Sequence, residues 1–386
     1  MDSIMRAAVH VASEMVGAPV GEPEVVGRGL RSVVMRCSLT GGTGSVIVKA
    51  FSDEPEGRRS FTSEAVGLSL GLAGPALLGA DAAASVVVME DVGPVPSLAD
   101  ALVGADAPTA ALGLRGWARE LGRIAAASVE RREKFTRLWK QYDKGMEPWG
   151  DEWIEQNGQQ LLAALEAAGV TPPAGLAAEL HQLATARERE YTGFTPGDPC
   201  PYNALIAPGG VRLIDFEFSG YLPVFLTAAY CRSPFPNCWC VYQIPDQVAA
   251  QTERVFRAEV VRSYPGLAED EVWEAGMRWA TAVWMVDATA YWLRQVTLKD
   301  GPLRPDQSAG PTRRQVLRYR WERAEELLTE GDFPAVRAVA STLLHEVGNK
   351  WEMPPFPVYP AFARRHESPS PTGVGTGADS YPLSPA

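Results

Sequence analysis

The chain has 386 residues, of which 46% are hydrophobic, so it is long enough and apolar enough for two lobes with cores of their own. Its formal net charge of −11 argues against nucleic acid as the main partner, since binding a phosphate backbone needs a basic surface. No apolar run approaches the ~20 residues that span a membrane, and the N-terminal stretch MDSIMRAAVH lacks the apolar core of a signal peptide, so we expect no membrane partner.

The N-terminal part of the chain carries strand and turn signals after a first helix. Residues 2–16 are predicted to form an amphipathic helix, and three strands follow, the third of which covers 46–51. The segment Gly27-Arg28-Gly29 separates the first two strands. A glycine loop between paired strands can lie across nucleotide phosphates because no Cβ blocks the backbone, although most such glycines are only turns.

Lys49 places a charge inside the apolar third strand. A charged side chain needs a partner if its position is covered. Residues 57–73 have apolar residues at helical spacing, and Glu64 lies beside that apolar face. We therefore expect Glu64 to pair with Lys49; the alternative is an ordinary exposed lysine on a strand.

Residues 85–93, Ser-Val-Val-Val-Met-Glu-Asp-Val-Gly, form a β-rich run that ends in a polar turn. The run predicts a further strand of the same lobe. Its apolar side chains would suit a plain core strand equally well, so this pattern alone assigns it no function.

Most of the chain beyond a loop and linker zone at 94–108 is predicted to be helical. The predicted helices cover 110–145, 151–168, 174–191, 269–298, 312–330 and 334–350. The fourth is rich in aromatic residues and contains Asp287 in its apolar stretch, where it either meets a substrate or pairs with a base such as Arg294. Residues 366–386, rich in Ser, Pro and Gly, should be disordered.

A β-hairpin is predicted around the turn Gly209-Gly210, which separates two short apolar runs. Asn203 precedes its first strand and Asp215 ends its second, so the hairpin brings them together with Asp198. Carboxylate and amide oxygens suit Mg²⁺ held against phosphates. The alternative is an ordinary hairpin in which Asp and Asn serve as turn residues.

Residues 231–246 contain three prolines, which argue against regular structure. Because the segment follows Asp215 closely in sequence, it is a candidate substrate loop, and a structural crossover is the equal alternative.

The cysteines are odd in number and show no zinc-binding spacing. We interpret them as reduced thiols of a cytoplasmic protein, and we regard metal binding by the Cys-Trp-Cys segment as the weaker alternative. They are Cys37, Cys200, Cys231, Cys238 and Cys240.

The spacing Asp198-x4-Asn203, followed by Ile-Asp-Phe-Glu at 214–217, resembles the catalytic and metal loops of the aminoglycoside phosphotransferase and choline kinase group in the protein-kinase-like superfamily. The glycine loop, a strand lysine and a helix glutamate precede it in the same order. The resemblance implies an α+β, two-lobed fold, with a small antiparallel sheet in an N-lobe over 1–93 and a larger, mostly helical C-lobe over 94–365.

The resemblance also implies roles for single residues. Asp198 would orient or deprotonate the acceptor hydroxyl, and Asn203 and Asp215 would hold Mg²⁺ on the nucleotide. Lys49, braced by Glu64, would grip the phosphates of ATP or GTP. The further nucleotide-binding candidates are Gly29 and Ser32 in the glycine loop and Met89, Glu90 and Val92 at the hinge, where the backbone reads the base; the substrate candidates are Asp287, Trp284 and Tyr291.

The chain departs from the family pattern in two places. Pro196 stands where the family usually has a His two residues before the catalytic Asp. Leu226-Thr227-Ala228 stands where an Asp-Leu-Ala segment is common. Because those two features together brace the catalytic loop in the wider superfamily, we expect this loop to be held differently, with proline rigidity as one means.

These observations lead us to expect a phosphotransferase that moves a nucleotide γ-phosphate to a hydroxyl of a small molecule. The leading substrate is an antibiotic or related natural product, such as an aminoglycoside or a nucleoside antibiotic, which would make the protein a resistance enzyme. The alternatives are a metabolite kinase for choline, homoserine or a sugar, and a pseudokinase that binds nucleotide without transfer. The oligomeric state stays open.

Overall fold

The computed structural model describes residues 3–41, 44–235, 238, 240–303, 310–328 and 331–363. The predicted disordered tail and parts of the predicted substrate loop lie outside the described residues. Within them, the chain forms a small lobe built on a sheet and a larger, mostly helical lobe, which confirms the expected two-lobed α+β fold.

The small lobe is an antiparallel sheet with a helix on each face. Its elements are α1 (Ser3–Val16), β1 (Val20–Arg28), β2 (Ser32–Leu39), β3 (Ser45–Phe51), α2 (Pro55–Leu70), β4 (Leu77–Asp81) and β5 (Val86–Glu90). The strands pair in the order β1-β2-β3-β5-β4. Strand β3 is therefore central, between β2 and β5.

The two faces of β3 have different partners because side chains alternate along a strand. Val46 and Val48 are buried against α1, whose Ala8 and Ala12 complete that core. Residues Ile47 and Lys49, on the opposite face, line a cavity below the sheet. Lys49 is thereby directed towards α2 and the large lobe.

The large lobe consists of helices around two short two-stranded ribbons. Its elements are α3 (Leu98–Val103), α4 (Ala107–Ser128), α5 (Arg132–Tyr142), α6 (Trp153–Ala167), α7 (Leu176–Thr185), β6 (Thr192–Thr195), β7 (Ala204–Ala207), β8 (Gly210–Leu213), β9 (Gly220–Pro223), α8 (Val224–Ala228), α9 (Asp246–Val260), α10 (Asp270–Leu298), α11 (Arg313–Leu327) and α12 (Pro334–Glu346). Strands β7 and β8 form the predicted hairpin, in which Ala204 pairs with Leu213. Strands β6 and β9 pair outside it and close the loop that contains the hairpin.

Helix α10, with 29 residues, runs through the core of the large lobe. Trp273 and Trp279 on this helix are fully buried, as is Phe225 of α8, which packs against Trp273. The aromatic residues of this helix are thus largely core residues. In the described part of the chain, no helix combines the length and the apolarity needed to cross a bilayer.

Several predicted boundaries need correction. The predicted helix over 110–145 is two helices, α4 and α5, separated by a 3₁₀ turn at Val129–Arg131. The predicted linker zone contains α3, which begins at a Ser97 capping box. Strand β4 and the ribbon β6–β9 were not predicted, because such short segments give weak periodicity. Helix α9 was not predicted either, although its apolar residues have helical spacing.

We predict that Gly276→Ala in α10 lowers the free energy of unfolding by about 1–3 kcal/mol, the usual cost of overpacking. A Cβ at this position would lie 2.2 Å from the Phe225 ring. Urea unfolding of both proteins measures the difference. Gly266→Ala is the control, since its Cβ would meet no atom within 4 Å. Equal destabilisation of both variants would contradict the prediction.

Candidate active site

A cavity of about 390 Å³ lies between the lobes. Its upper wall comes from the sheet and its lower wall from the ends of β7 and β8. The residues that line it include Gly27, Val34, Ile47, Lys49, Glu64, Met89, Val92, Tyr202, Asn203, Leu205, Ile214 and Asp215. Most of these are apolar. The charged groups Lys49, Glu64 and Asp215 form one cluster, and Arg36, Glu90 and Asp91 also line the cavity at the end of β5.

Lys49 is held by three carboxylates from both lobes. Its Nζ lies 2.9 Å from Glu64 Oε2 on α2 and 3.0 Å from Glu217 Oε2. It also donates to Asp215 Oδ1. Since only 3% of the lysine side chain is exposed, the ammonium sits inside the protein and not on an open strand. The structure therefore brings together the predicted pair Lys49–Glu64 and the predicted metal ligand Asp215.

The protonation equilibria of this cluster follow from burial and mutual charge. Burial disfavours the ammonium of Lys49, but the carboxylates of Asp215, Glu217 and Glu64 raise its pKa well above the ordinary value. Burial raises the pKa of Glu64 to about 7, against the opposing effect of Lys49. Burial would also raise the pKa of Glu217, but Lys49 and Arg31 bring it below the ordinary value. Lys49 thus stays charged.

Asp215 follows the hairpin in a backbone conformation unusual for this residue type, with φ of +65°. The Ile214 N–H donates to the Asn203 carbonyl at 2.9 Å, which extends the hairpin to its open end. Asn203 and Asp215 therefore lie on facing ends of the same ribbon, as predicted from the hairpin pattern.

Asp198 lies beside Asn203 on residues 196–203, the segment that we predicted to be the catalytic loop and call by that name below. Asn203 Nδ2 donates to Asp198 Oδ2 at 3.3 Å and to the Asp198 carbonyl at 3.1 Å, and the Cys200 N–H donates to Asp198 Oδ1 at 3.2 Å. Burial, and next the charge of Asp215, raise the pKa of Asp198 to about 7. A carboxyl group with this pKa can accept a proton near neutral pH.

The loop around Asp198 is braced by contacts other than the missing histidine. The Trp117 indole N–H on α4 donates to the Pro199 carbonyl at 2.9 Å. Gly197 has φ of +87° and packs so closely that a Cβ would lie 2.0 Å from the Phe218 carbonyl oxygen. Only glycine fits there. Trp117 and Gly197 thus fix the backbone on both sides of the carboxylate.

The expectation that the cysteines are all reduced thiols is wrong for two of them. Cys200 and Cys238 form a disulfide with a Cα–Cα distance of 5.6 Å. Because their separation in sequence is 38 residues, no local spacing signal could have revealed the pair. The bond ties the catalytic loop to the predicted substrate loop. Cys37, Cys231 and Cys240 are buried free thiols, as expected.

The chemistry of Asn203 and Asp215 fits a magnesium ion. Asn203 uses its amide nitrogen on Asp198, so its carbonyl oxygen is not engaged there, and Asp215 gives one carboxylate oxygen to Lys49. Two oxygen ligands of this kind, completed by phosphate and water, are typical of Mg²⁺. No group of three or more His, Cys, Asp or Glu side chains in the described ranges could hold a metal by itself.

The strand end at β5 offers backbone groups to the cavity. Among the described residues, neither the N–H nor the C=O of Val92 has a hydrogen-bond partner. Met89 lines the cavity next to it. The Glu90 carboxylate is instead engaged by Arg212, at 3.0 and 2.8 Å, and its N–H donates to the Ala76 carbonyl. Val92 therefore fits the predicted hinge role better than Glu90.

The predicted glycine-loop residues lie apart from the cavity lining. Gly27 lines the cavity, whereas Gly29 and Ser32 are not among its lining residues. The Gly29 N–H donates to the Ser32 carbonyl at 2.9 Å, and this closes a tight turn. The Ser32 hydroxyl is buried and lies 3.5 Å from Glu217 Oε2.

Asp287 belongs to a polar cluster on the other side of the catalytic loop. It accepts a hydrogen bond from Asn157 Nδ2 at 2.7 Å, and burial raises its pKa to about 6. Burial raises the pKa of Tyr230, and the charges of Asp198 and Asp287 raise it further. In the described chain the Tyr230 hydroxyl has no hydrogen-bond partner. The buried Arg320 cation compensates part of the charge of Asp287.

The structure places the other two substrate candidates elsewhere. The Trp284 indole N–H donates to the Leu226 carbonyl at 2.9 Å, and its ring stacks on Trp153, so it is a satisfied core residue. Tyr291 is 58% exposed and contacts the ring of Trp292. The helical spacing of the aromatic residues does not distinguish a residue of the core from a residue of a substrate pocket.

Two charged residues of the site were not predicted. Glu217 stands in the Ile-Asp-Phe-Glu segment, so its sequence position beside Asp215 was an available signal. Arg31 lies in the β1–β2 turn and pairs with Glu217 at 2.9 Å. The sequence around Arg31 gives no sign of this contact, because it depends on how the two lobes meet.

Comparisons with known proteins agree with this architecture. No protein-family model and no curated protein sequence matches the chain. A choline kinase structure from Cryptosporidium parvum is similar, with 10% identity, a TM-score of 0.55, and coverage of 87% of this chain and 99% of that chain. A putative aminoglycoside phosphotransferase from Ralstonia eutropha has 13% identity and a TM-score of 0.48, covering 87% and 97%. An aminoglycoside phosphotransferase from Streptomyces rimosus has 17% identity and a TM-score of 0.42, covering 76% and 100%.

At these identities the likeness concerns the fold. The choline kinase match extends over nearly the whole of that chain and includes both lobes of this one. The chain therefore has the two-lobed protein-kinase-like fold that its sequence resembles.

Proposed function

We propose that the protein is a phosphotransferase that moves the γ-phosphate of ATP or GTP to a hydroxyl group of a small molecule. The observation that carries this proposal is the meeting of Lys49, from the small lobe, with Asp215, beside Asn203 and Asp198, at one end of a cavity between the lobes. On this proposal, a fixed cation and two oxygen ligands line the cleft, and the proposed base lies next to Asn203.

Different residues of the cleft would bind the base, the phosphates and the metal of the nucleotide complex. The base of the nucleotide would lie against Met89 and bond the free backbone groups of Val92. Lys49 would exchange a carboxylate partner for phosphate oxygens and keep the chain of phosphates in place. A magnesium ion held by Asn203 and Asp215 supplies positive charge to those oxygens when it is bound.

Asp198 would act on the acceptor. Its carboxylate can accept the hydrogen bond of the acceptor hydroxyl, orient an oxygen lone pair towards the γ-phosphorus, and take the proton as the new O–P bond forms and the bond to the leaving nucleotide diphosphate breaks. Because little covalent chemistry falls to the protein, most of the rate gain would come from positioning and from neutralising charge.

For the acceptor we propose an antibiotic or a related natural product with hydroxyl and amino groups, such as an aminoglycoside or a nucleoside antibiotic, so that phosphorylation would confer resistance. Three observations support this class. The charges of Asp198 and Asp287 both raise the pKa of Tyr230, Asp287 is only partly buried, and the chain is acidic overall. Carboxylate and phenol groups suit a polyhydroxylated, cationic ligand.

We predict that Asp198→Asn lowers turnover by about 10²-fold or more, the usual contribution of a positioned base, and leaves nucleotide affinity unchanged. Phosphate transfer is followed by mass spectrometry of an acceptor panel containing aminoglycosides, nucleoside antibiotics, choline, homoserine and sugars, with ATP and with GTP. Glu190→Gln, an exposed carboxylate, is the control.

The same panel separates the alternatives. Transfer only to choline, homoserine or a sugar would replace the antibiotic by a metabolite. Nucleotide binding without transfer to any compound would favour a pseudokinase. Unchanged turnover in Asp198→Asn would remove Asp198 from its role as base.

We also predict that Asp287→Asn raises the KM for the acceptor by roughly 10- to 100-fold, because a hydrogen bond to a charged group contributes about 1.5–3 kcal/mol. The Kd for nucleotide should not change. Since Arg320 depends on Asp287 for compensation, thermal melting must first show that the variant folds. Asp270→Asn, at the exposed start of α10, is the matched control. An unchanged KM in Asp287→Asn would place the acceptor elsewhere.

A further inference from the structure

Arg31 is the last residue of the tight turn between β1 and β2, and its backbone is fixed on both sides. The Gly29 N–H donates to the Ser32 carbonyl at 2.9 Å across the turn. The Arg31 carbonyl accepts from the Ser52 N–H at 2.8 Å, directly after β3. The turn is therefore rigid at the point where the side chain leaves it.

The side chain of Arg31 crosses from the small lobe to the large lobe. Its Nη2 and Nε lie 2.9 and 3.2 Å from Glu217 Oε1, and its guanidinium lies 4.3 Å from the centre of the Phe218 ring. Only 11% of the side chain is exposed. Its neighbours on the turn differ, since Arg28 is exposed and Leu30 is 78% exposed. The turn thus directs one specific cation towards the large lobe.

Arg31 shares Glu217 with Lys49. One carboxylate oxygen of Glu217 binds the guanidinium, and the other lies 3.0 Å from Lys49 Nζ. Lys49 in turn binds Asp215. The guanidinium is therefore linked through one shared carboxylate to the lysine that binds the proposed metal ligand.

The Arg31 guanidinium has N–H groups that do not bond Glu217. Arg31 uses Nε and Nη2 on Glu217, and within the described residues its Nη1 has no hydrogen-bond partner. A guanidinium has five N–H groups in a planar fork that matches phosphate oxygens. Arg31 can accordingly bind a phosphate without releasing Glu217.

We propose that Arg31 binds the phosphate chain of the nucleotide as a second cation beside Lys49, and that Glu217 is the positioning residue that holds it there. This inference rests on the proposed function and adds one phosphate-binding residue to it. Because Arg31 shares Glu217 with Lys49, and Lys49 binds Asp215, we assign Arg31 to the phosphates remote from the nucleoside. It should therefore distinguish a triphosphate from a monophosphate.

The experiment compares Arg31→Gln and Arg31→Lys with the wild-type protein by calorimetry, using ATP, ADP and AMP with Mg²⁺, or the guanine nucleotides if these bind better. Arg31→Gln should weaken triphosphate binding roughly 10- to 100-fold, as expected for lost charge-assisted hydrogen bonds, and leave AMP binding within about twofold. Arg31→Lys should recover part of the loss. Arg137→Gln removes the same charge from the exposed face of α5 and should change nothing.

A second variant separates phosphate binding from a merely structural role. If Arg31 only neutralises Glu217, the double variant Arg31→Gln/Glu217→Gln should regain triphosphate affinity, and that result would overturn the inference. Continued weak binding of the triphosphate by the double variant supports it. An equal loss for ATP and AMP in Arg31→Gln, or no loss, would also overturn it. A wild-type protein that binds no nucleotide would overturn the proposed function as well.

Discussion

The structure depends on one buried cation, the ammonium of Lys49. Removing such a charge from water costs several kcal/mol unless partners replace the hydration, and here carboxylates from both lobes do so. Glu64 comes from α2 of the small lobe, whereas Asp215 and Glu217 follow β8 of the large lobe. Because neither lobe alone satisfies the lysine, the ion cluster fixes how the lobes meet and where the cleft between them lies.

The same cluster sets the electrostatics of the cleft. Three carboxylates face Lys49 and Arg31, and Asp198 lies close enough that Asp215 raises its pKa. The surplus of negative charge favours a bound cation, and the ammonium and guanidinium favour an anion, so these charges suit the metal–phosphate pair that we propose. A charge arrangement of this kind is costly for stability, and it is the arrangement expected where binding energy is used for function.

The sequence predicted those parts of the site that local patterns encode. Lys49 interrupts an apolar strand, Glu64 lies beside the apolar face of the next helix, and Asp198, Asn203 and Asp215 surround a hairpin with a glycine turn. The ion pair of Arg31 and the disulfide Cys200–Cys238 were not predicted, because these contacts join segments far apart in the chain. Trp284 and Tyr291 share one helix with Asp287, but only packing decides which face meets the core.

The loop around Asp198 departs from the family pattern and still holds its carboxylate in place. The proposed reaction requires a carboxylate held in one position, and Asp198 is held by the Asn203 amide and the Cys200 N–H. The contacts that hold the backbone around this carboxylate can differ from those of the family if other contacts take their place. Pro196 takes the position of the usual histidine, while the Trp117 hydrogen bond, the Gly197 packing and the disulfide hold the backbone around it. These contacts are therefore particular to this chain, whereas the position of the carboxylate follows from the fold.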